Sequence, residues 1–307
     1  MNNDAMESLR KLVEGGGFES MEELNAFAQQ HMNNMNHVPS ADFMGLSSEQ
    51  VHKFLYQPFD CPELVTIPAK LDFQPVAPIV EVLGLLLDAI GEKGLKATAT
   101  GNLPRNLCRE IALAHWSKEK YEFRKVYGQI MTESNVAELH ITRLVCEAAR
   151  VIRKQSGRFE LAPAWKTPWR VHGAAALYPA LLKAYAARYN WGYYDNLGEC
   201  SIVQQSFLFS LYMLSRNGGK WRPLEFYEDG FIQAFPAAAQ DFADIARVDP
   251  KAAAKMVYRN RMFFGFAEFF NLVSFRYTNQ KPRQIDGVKK LPLLDQVVVF
   301  QRRLIKR

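Results

Sequence analysis

The sequence predicts a mainly α protein with short β-hairpins. An acidic helical N-terminal region precedes two winged-helix-like units, which are joined by a helical middle. Three observations predict this class. The 307 residues are 48% hydrophobic and 23% charged, a composition typical of globular proteins with a sizeable core. Most apolar residues recur at helical spacing. At two places a series of helices is followed by short apolar runs around a polar loop, which is the pattern of a hairpin.

The N-terminal region is predicted to be helical and separate from the rest of the chain. Two short helices, over 5–13 and 20–32, are divided by a run of three glycines at 15–17. Ser47, followed three residues later by Gln50, predicts a capping box at the start of a further helix, which Pro58 ends. Four prolines between 60 and 78 predict an extended linker rather than a strand.

The first winged-helix-like unit is predicted from the order of its elements. A helix over 79–90 precedes a short strand at 95–98, a helix capped by Asn102, a charged connector over 117–133 and a third helix that starts near Ser134. Apolar runs at 151–154 and 158–161 flank a loop that contains Gly157, and predict a hairpin. In a winged helix the third helix usually enters the major groove and the hairpin contacts the phosphate backbone.

A similar order predicts the second unit. A helix over 173–190 is followed by one that Ser201 opens, a short strand at 220–222 and a helix that Pro223 begins. A long helix over about 250–270 leads into β-type runs at 272–277 and 293–300, which a basic segment joins.

Charge is distributed unevenly along the chain, whose net charge is +6. Residues 1–75 contain 4 Lys and Arg against 11 Asp and Glu, residues 76–170 contain 15 against 10, and residues 171–307 contain 19 against 11. We therefore predict three parts: an acidic N-terminal region with its linker, a winged-helix-like domain, and a helical segment with a second winged-helix-like domain. A basic body favours a polyanionic partner, although helical surfaces can also simply differ in charge.

The candidate site residues are basic side chains on the two units, because Lys and Arg neutralise phosphates and Arg also reads guanine. In the first unit they are Arg143, Arg150, Arg153, Lys154 and Arg158. In the second unit they are Lys255, Arg259, Arg261, Lys281, Arg283, Lys289 and Lys290. They suggest a non-enzymatic DNA-binding protein with a regulatory role. Glu138 and Glu147 on the third helix argue against this, since they would face phosphates.

Two other functional classes stay open. A protein-interaction module would use the aromatic residues around 189–194 and 262–270 to bind a protein partner. An enzyme would need a site assembled from distant residues, because the sequence has no HExxH, GxSxG or phosphate-loop motif. The four cysteines form no CxxC pair, so we predict neither a metal site nor a cofactor. Glu268 interrupts the most apolar stretch, and we predict a cytoplasmic protein without membrane segments.

The segment over 94–104, Gly-Leu-Lys-Ala-Thr-Ala-Thr-Gly-Asn-Leu-Pro, resembles one found in a family of uncharacterised bacterial proteins. Some members are plasmid-borne, and some carry a SEC-C zinc tail. Residues 45–50 and 189–195 are similar to other segments of that group. The resemblance implies a bacterial origin and little else; the interaction hypothesis would make the protein a scaffold module of a larger bacterial assembly. The resemblance implies no activity, and this chain lacks the SEC-C cysteines.

Overall fold

A computed structural model describes residues 20–243, 248–279 and 284–305. Over these residues the chain is mainly helical with small antiparallel sheets, so the predicted class is confirmed at this level. The helix predicted over 5–13 lies outside the described residues. None of the described helices is both long and apolar enough to span a bilayer.

The N-terminal helices begin where the sequence predicts. Helix α1 spans Met21–His37, and the Ser20 hydroxyl accepts the Glu23 N–H at its start. Helix α2 spans Ser48–Tyr56, and the predicted capping box between Ser47 and Gln50 is present. The proline-rich linker, however, contains strand β1, Val65–Thr66. It pairs with strand β7 near the C-terminus, a long-range contact that local sequence does not reveal.

The 76–170 part follows the predicted order with one addition. Its elements are α3 (Pro78–Ile90), β2 (Leu95–Lys96), α4 (Arg105–His115), α5 (Lys118–Tyr127), α6 (Ala137–Ala148), β3 (Ile152–Gln155) and β4 (Arg158–Leu161). The three strands form one antiparallel sheet in the order β2-β4-β3. Two details of the prediction were wrong. The charged connector contains helix α5, since Lys, Glu and Arg are good helix formers even without an apolar stripe. Helix α4 begins after Pro104, not at Asn102.

The 171–307 part contains more breaks than predicted. Helix α7 (Pro163–His172) spans the predicted boundary at 170. The helices after it are α8 (Ala174–Ala187), α9 (Ser201–Gln205), α10 (Phe207–Asn217), α11 (Leu224–Ala234), α12 (Pro250–Tyr258), α13 (Pro292–Val297) and α14 (Arg302–Ile305). A π-helical stretch, Arg259–Ala267, continues α12. The strands are β5 (Val273–Tyr277), β6 (Ile285–Lys290) and β7 (Val299–Phe300).

The second hairpin is displaced from its predicted position. Strand β5 pairs with β6, which lies inside the segment predicted as a basic loop. The run over 293–300, predicted as the second β-run, is helix α13 followed by β7, because Pro292 favours the first turn of a helix. Arg222 forms a β-bridge with Val288 on the free side of β6. The resulting order of Arg222, β6 and β5 repeats that of β2, β4 and β3.

Buried hydrophobic side chains from all three predicted parts form one cluster. The rings of Phe54, Tyr212 and Phe300 lie 5.8–6.2 Å from one another, which joins α2 to α10 and to β7. The Ile79 N–H at the start of α3 donates to the Phe269 carbonyl. The core is therefore continuous across both predicted boundaries.

Candidate nucleic-acid interface

Helix α6, the third predicted helix of the 76–170 part, is enclosed. Every one of its residues is buried or half-buried, and it packs against α3 and α8. None of its residues is fully exposed, so the burial of α6 does not support the expectation that this helix docks against DNA.

Arg143, predicted as a phosphate contact, lies in an ion-pair network inside the protein. Its side chain is 7% exposed, with Nε 2.5 Å from Glu133 Oε1 and Nη1 2.8 Å from Glu147 Oε2. His140 Nδ1 lies 2.7 Å from the same Glu133 oxygen, and the Leu103 N–H donates to the other at 2.7 Å. Arg143 therefore stabilises the fold and is not part of the candidate interface.

The outer face of the sheet β2-β4-β3 carries two exposed cations, Lys96 and Arg153, and one half-buried cation, Arg158. Side chains alternate along a strand, so Arg158 and Glu160 lie on the face opposite the buried Phe159. The register places Lys96 directly across from Arg158, and Arg153 across from Glu160. We call Lys96, Arg153 and Arg158 the cationic face. Sequence reasoning missed Lys96, although it stands in the predicted short strand.

The members of the cationic face differ in their partners. Lys96 is exposed and has no ion-pair partner among the residues that the structure describes. Arg153 reaches Glu160 at 3.4 Å, with both side chains partly exposed. Arg158 donates to two carbonyls, those of Lys93 at 3.0 Å and Gly94 at 2.6 Å, so its charge is held in place but not neutralised.

The segment over 94–104 positions this face. Gly94 has φ +72°, and a Cβ there would lie 2.9 Å from the Phe159 carbonyl oxygen, so only glycine lets β2 approach β4 closely. The following loop closes on itself, since the Thr98 hydroxyl donates to the Asn102 carbonyl and accepts the Asn102 N–H. Lys154 Nζ lies 3.4 Å from the Gly101 carbonyl, which ties the loop to the hairpin.

The remaining predicted residues of this part are exposed. Arg150 follows α6 with a left-handed backbone, φ 57°, and its side chain faces solvent. Lys154 is also exposed, although it lies on the Phe159 side of the sheet, 5.9 Å from that ring. Four of the five predicted cations thus lie on the hairpin or just before it, but only Arg153 and Arg158 share one face of the sheet.

The basic residues predicted on and after α12 are largely paired with carboxylates. Lys255 forms an ion pair with Asp229, which raises the pKa of the lysine. Arg259 Nε lies 2.6 Å from Glu228 Oε1, and this hydrogen bond raises the pKa of the guanidinium. Both cations remain partly exposed, but their charge is balanced locally.

Arg261 is buried and belongs to the core. It binds both carboxylate oxygens of Asp195, at 2.6 and 3.0 Å, and donates to the Gly198 carbonyl at 2.6 Å. Burial raises the pKa of Asp195, but the hydrogen bonds from Arg261 and from the Leu197 N–H, together with the Arg261 charge, outweigh it, so the pKa lies below its usual range. Arg261 fastens the 195–198 turn to the π-helical stretch, so it too is removed from the interface.

Two of the basic residues predicted as nucleic-acid contacts, Lys289 and Lys290, lie on the second hairpin. Lys289 is half-buried and has no ion-pair partner in the described part of the chain. Lys290 Nζ lies 2.5 Å from Asp295 Oδ2 and donates to the Ser215 carbonyl at 2.7 Å. Lys281 and Arg283 lie outside the described residues.

The aromatic residues of the protein-interaction hypothesis form core. The Tyr185 ring contacts those of Tyr189, Trp191 and Phe266 at centroid distances of 5.1, 5.8 and 5.4 Å, and all four residues are buried. Tyr193 alone among residues 189–194 exposes more than half of its surface, 58%. Neither aromatic segment therefore offers the broad docking surface expected for it.

A cleft of about 840 Å³ is lined by Trp191, Cys200, Phe207, Arg261 and neighbouring residues. Burial raises the pKa of the Cys200 thiol to about 12, so at neutral pH it is protonated and a poor nucleophile. The Arg261 charge is already balanced by Asp195. No three His, Cys, Asp or Glu side chains within the described ranges lie close enough together to hold a metal ion.

Comparison of the chain with protein-family models, with curated proteins and with solved structures gives no match.

Proposed function

We propose that this protein binds nucleic acid without catalysing a reaction, and that the cationic face contacts the phosphate backbone. The observation that carries the proposal is the pairing of Lys96 with Arg158 across two antiparallel strands. Like charges directly opposite each other destabilise a sheet. A phosphate between them would relieve this repulsion, so the arrangement suits an anionic ligand better than it suits the free protein.

We further propose that both hairpins belong to winged-helix-like units. Two features support this: the element order of the 76–170 part, and the strand order β2-β4-β3, which Arg222, β6 and β5 repeat. Because α6 is packed into the core, the hairpin and not the third helix would make the contact. Contacts with phosphates alone carry no sequence information, so we expect binding that depends weakly on sequence.

The test is fluorescence anisotropy with labelled random duplex DNA, titrated at low and at physiological salt. The double variant Lys96→Glu/Arg153→Glu should bind about tenfold or more weakly at low salt, because two phosphate contacts become repulsive. The slope of log K against log salt should fall by about 2, one for each lost contact. The matched control is Lys70→Glu/Arg124→Glu, which makes the same charge change at exposed positions away from the sheet.

The control separates a local contact from a general effect of net charge. Equal losses in both double variants would show that only net charge matters, and would refute the cationic face as the site. Absence of wild-type binding at low salt would refute nucleic-acid binding and favour the protein-interaction alternative.

A further inference from the structure

A partly exposed tryptophan, Trp221, packs against the second hairpin. Trp221 is 39% exposed, and its Cε3 lies 3.4 Å from the position that a Cβ of Gly287 would occupy. Arg276, opposite Gly287 in the register, places its Cζ 5.4 Å from the centroid of the Trp221 ring. An alanine Cβ at 287 would make ordinary van der Waals contact with the indole, whereas a longer side chain would need the space that the indole occupies.

The backbone beside Trp221 is fixed. Arg222 exchanges both backbone hydrogen bonds with Val288, at 3.1 and 2.7 Å, and its Nε donates to the Asn217 carbonyl at 3.1 Å. The guanidinium of Arg222 also lies 4.5 Å from the centroid of the Phe226 ring. The indole is therefore presented to solvent from a rigid position, which reduces the entropy lost when a ligand binds to it.

Two further lysines stand near Trp221 in the chain and in the strand register. Lys220 precedes it and is exposed, and Lys289 lies on the same face of β6 as Gly287, two residues away. Neither lysine has an ion-pair partner among residues 20–243, 248–279 and 284–305. Arg276 is paired with Asp286 at 2.8 Å, and both of these side chains are exposed. An exposed aromatic face among cations matches a ligand that has both flat rings and negative charge.

We propose that Trp221, held by Gly287 and Arg276, stacks on an unpaired base of a single-stranded nucleic acid, while Lys220 and Lys289 contact neighbouring phosphates. Aromatic side chains in a positively charged groove are the usual means of binding single strands, because every base has a face to stack. The class of ligand rests on the proposed function, but this surface belongs to a different sheet. A duplex hides its base faces, so the cationic face and the Trp221 surface should respond to different probes.

The test is fluorescence anisotropy with labelled oligothymidylate at low salt. Trp221→Ala should weaken binding about tenfold or more, the loss typical of one stacked base, whereas Trp221→Phe should retain most of the affinity. The matched control is Tyr56→Ala, which removes an exposed aromatic ring at the end of α2. Thermal unfolding of each variant checks that Trp221→Ala leaves the fold intact.

The two proposals fail in distinguishable ways. Unchanged oligothymidylate affinity in Trp221→Ala, with duplex binding still lost in Lys96→Glu/Arg153→Glu, overturns the stacking surface and leaves the proposed function standing. If the wild-type protein binds neither duplex DNA nor oligothymidylate, both the proposed function and the stacking surface are overturned. Binding of poly-L-glutamate that depends on Trp221, without binding of oligothymidylate, would assign the surface to an acidic peptide and overturn the proposal.

Discussion

Glu133 offers the sharpest test of how the 76–170 part is held together. Its carboxylate is almost fully buried and takes three short contacts, with the Leu103 N–H, with His140 and with Arg143. It thereby joins the end of the segment over 94–104 to helix α6. The substitution Glu133→Gln keeps the shape of the side chain, but it removes the charge and replaces one acceptor oxygen by an NH2 group.

The expected loss in the free energy of unfolding follows from the polar groups that the substitution leaves buried without a charged partner. Arg143 would keep only Glu147 as a charged partner, and that side chain is partly exposed to water. Removing one partner of a buried ion pair costs about 3–5 kcal/mol, and the remaining pair with Glu147 favours the lower end, about 3 kcal/mol. This is a large share of the free energy of unfolding of a typical protein, which is about 5–15 kcal/mol. For a chain of 307 residues the melting temperature should fall by roughly 5 °C.

The cost should depend on pH in a definite direction. Burial alone raises the pKa of Glu133, but the hydrogen bonds from His140, the Leu103 N–H and Arg143 outweigh it, so the native pKa lies below its usual range. A lowered native pKa means that the carboxylate stabilises the fold fully above the unfolded pKa of about 4.3. This contribution is lost as the pH falls through the native pKa. The difference in free energy of unfolding between the wild type and Glu133→Gln should therefore become smaller at acidic pH.

The assay is urea unfolding at neutral pH and at two or three acidic pH values. Glu147→Gln serves as control, since it removes a partly exposed partner of the same Arg143 and should cost no more than about 1 kcal/mol. The reasoning is refuted if the two variants cost the same at neutral pH, or if the Glu133→Gln cost stays constant on acidification.

Two further predictions concern glycine and cysteine. Gly94→Ala should destabilise the protein by about 2 kcal/mol in urea unfolding, because its φ is +72° and the new Cβ meets a carbonyl oxygen. Gly84→Ala, inside α3 with nothing within 4 Å of the new Cβ, should instead stabilise it by up to about 1 kcal/mol. All four cysteines are buried, and burial raises the pKa of Cys108 and of Cys200 to about 12. A thiol reagent at mildly alkaline pH should thus modify none of them before unfolding and all four after it; rapid labelling of the native protein would contradict this.

Sequence reasoning found the elements whose signal is local. The apolar stripe of α3, the capping box at Ser47 and the glycine loop between β3 and β4 each specify their own structure over a few residues. It missed helix α5, which is rich in charged residues and buries few apolar side chains. It also missed the pairing of β1 with β7. That pairing brings together two short segments near opposite ends of the chain, and two-residue strands carry no period of their own.

The site was predicted less well than the fold, because a sequence gives the positions of charges but not their partners. Arg143 and Arg153 look equivalent in the sequence, yet one lies against buried Glu133 and the other faces solvent. The carboxylate that binds Arg261 belongs to Asp195, 66 residues away. Lys96 could have been found, since a predicted short strand beside a predicted hairpin already implies cross-strand neighbours.

The register of Lys96 opposite Arg158 distinguishes the cationic face from the cations on and after α12. Lys255 and Arg259 sit beside carboxylates that balance them, and such arrangements need no ligand to explain them. An isolated exposed lysine also needs no explanation, because water solvates it at little cost. Lys96 opposite Arg158 is different: the register forces two like charges together, although a neutral residue at either position would preserve the strand pairing. A sheet that keeps this repulsion, on its exposed face and beside a core-packed helix, is better explained by an anion that binds there than by the stability of the free protein.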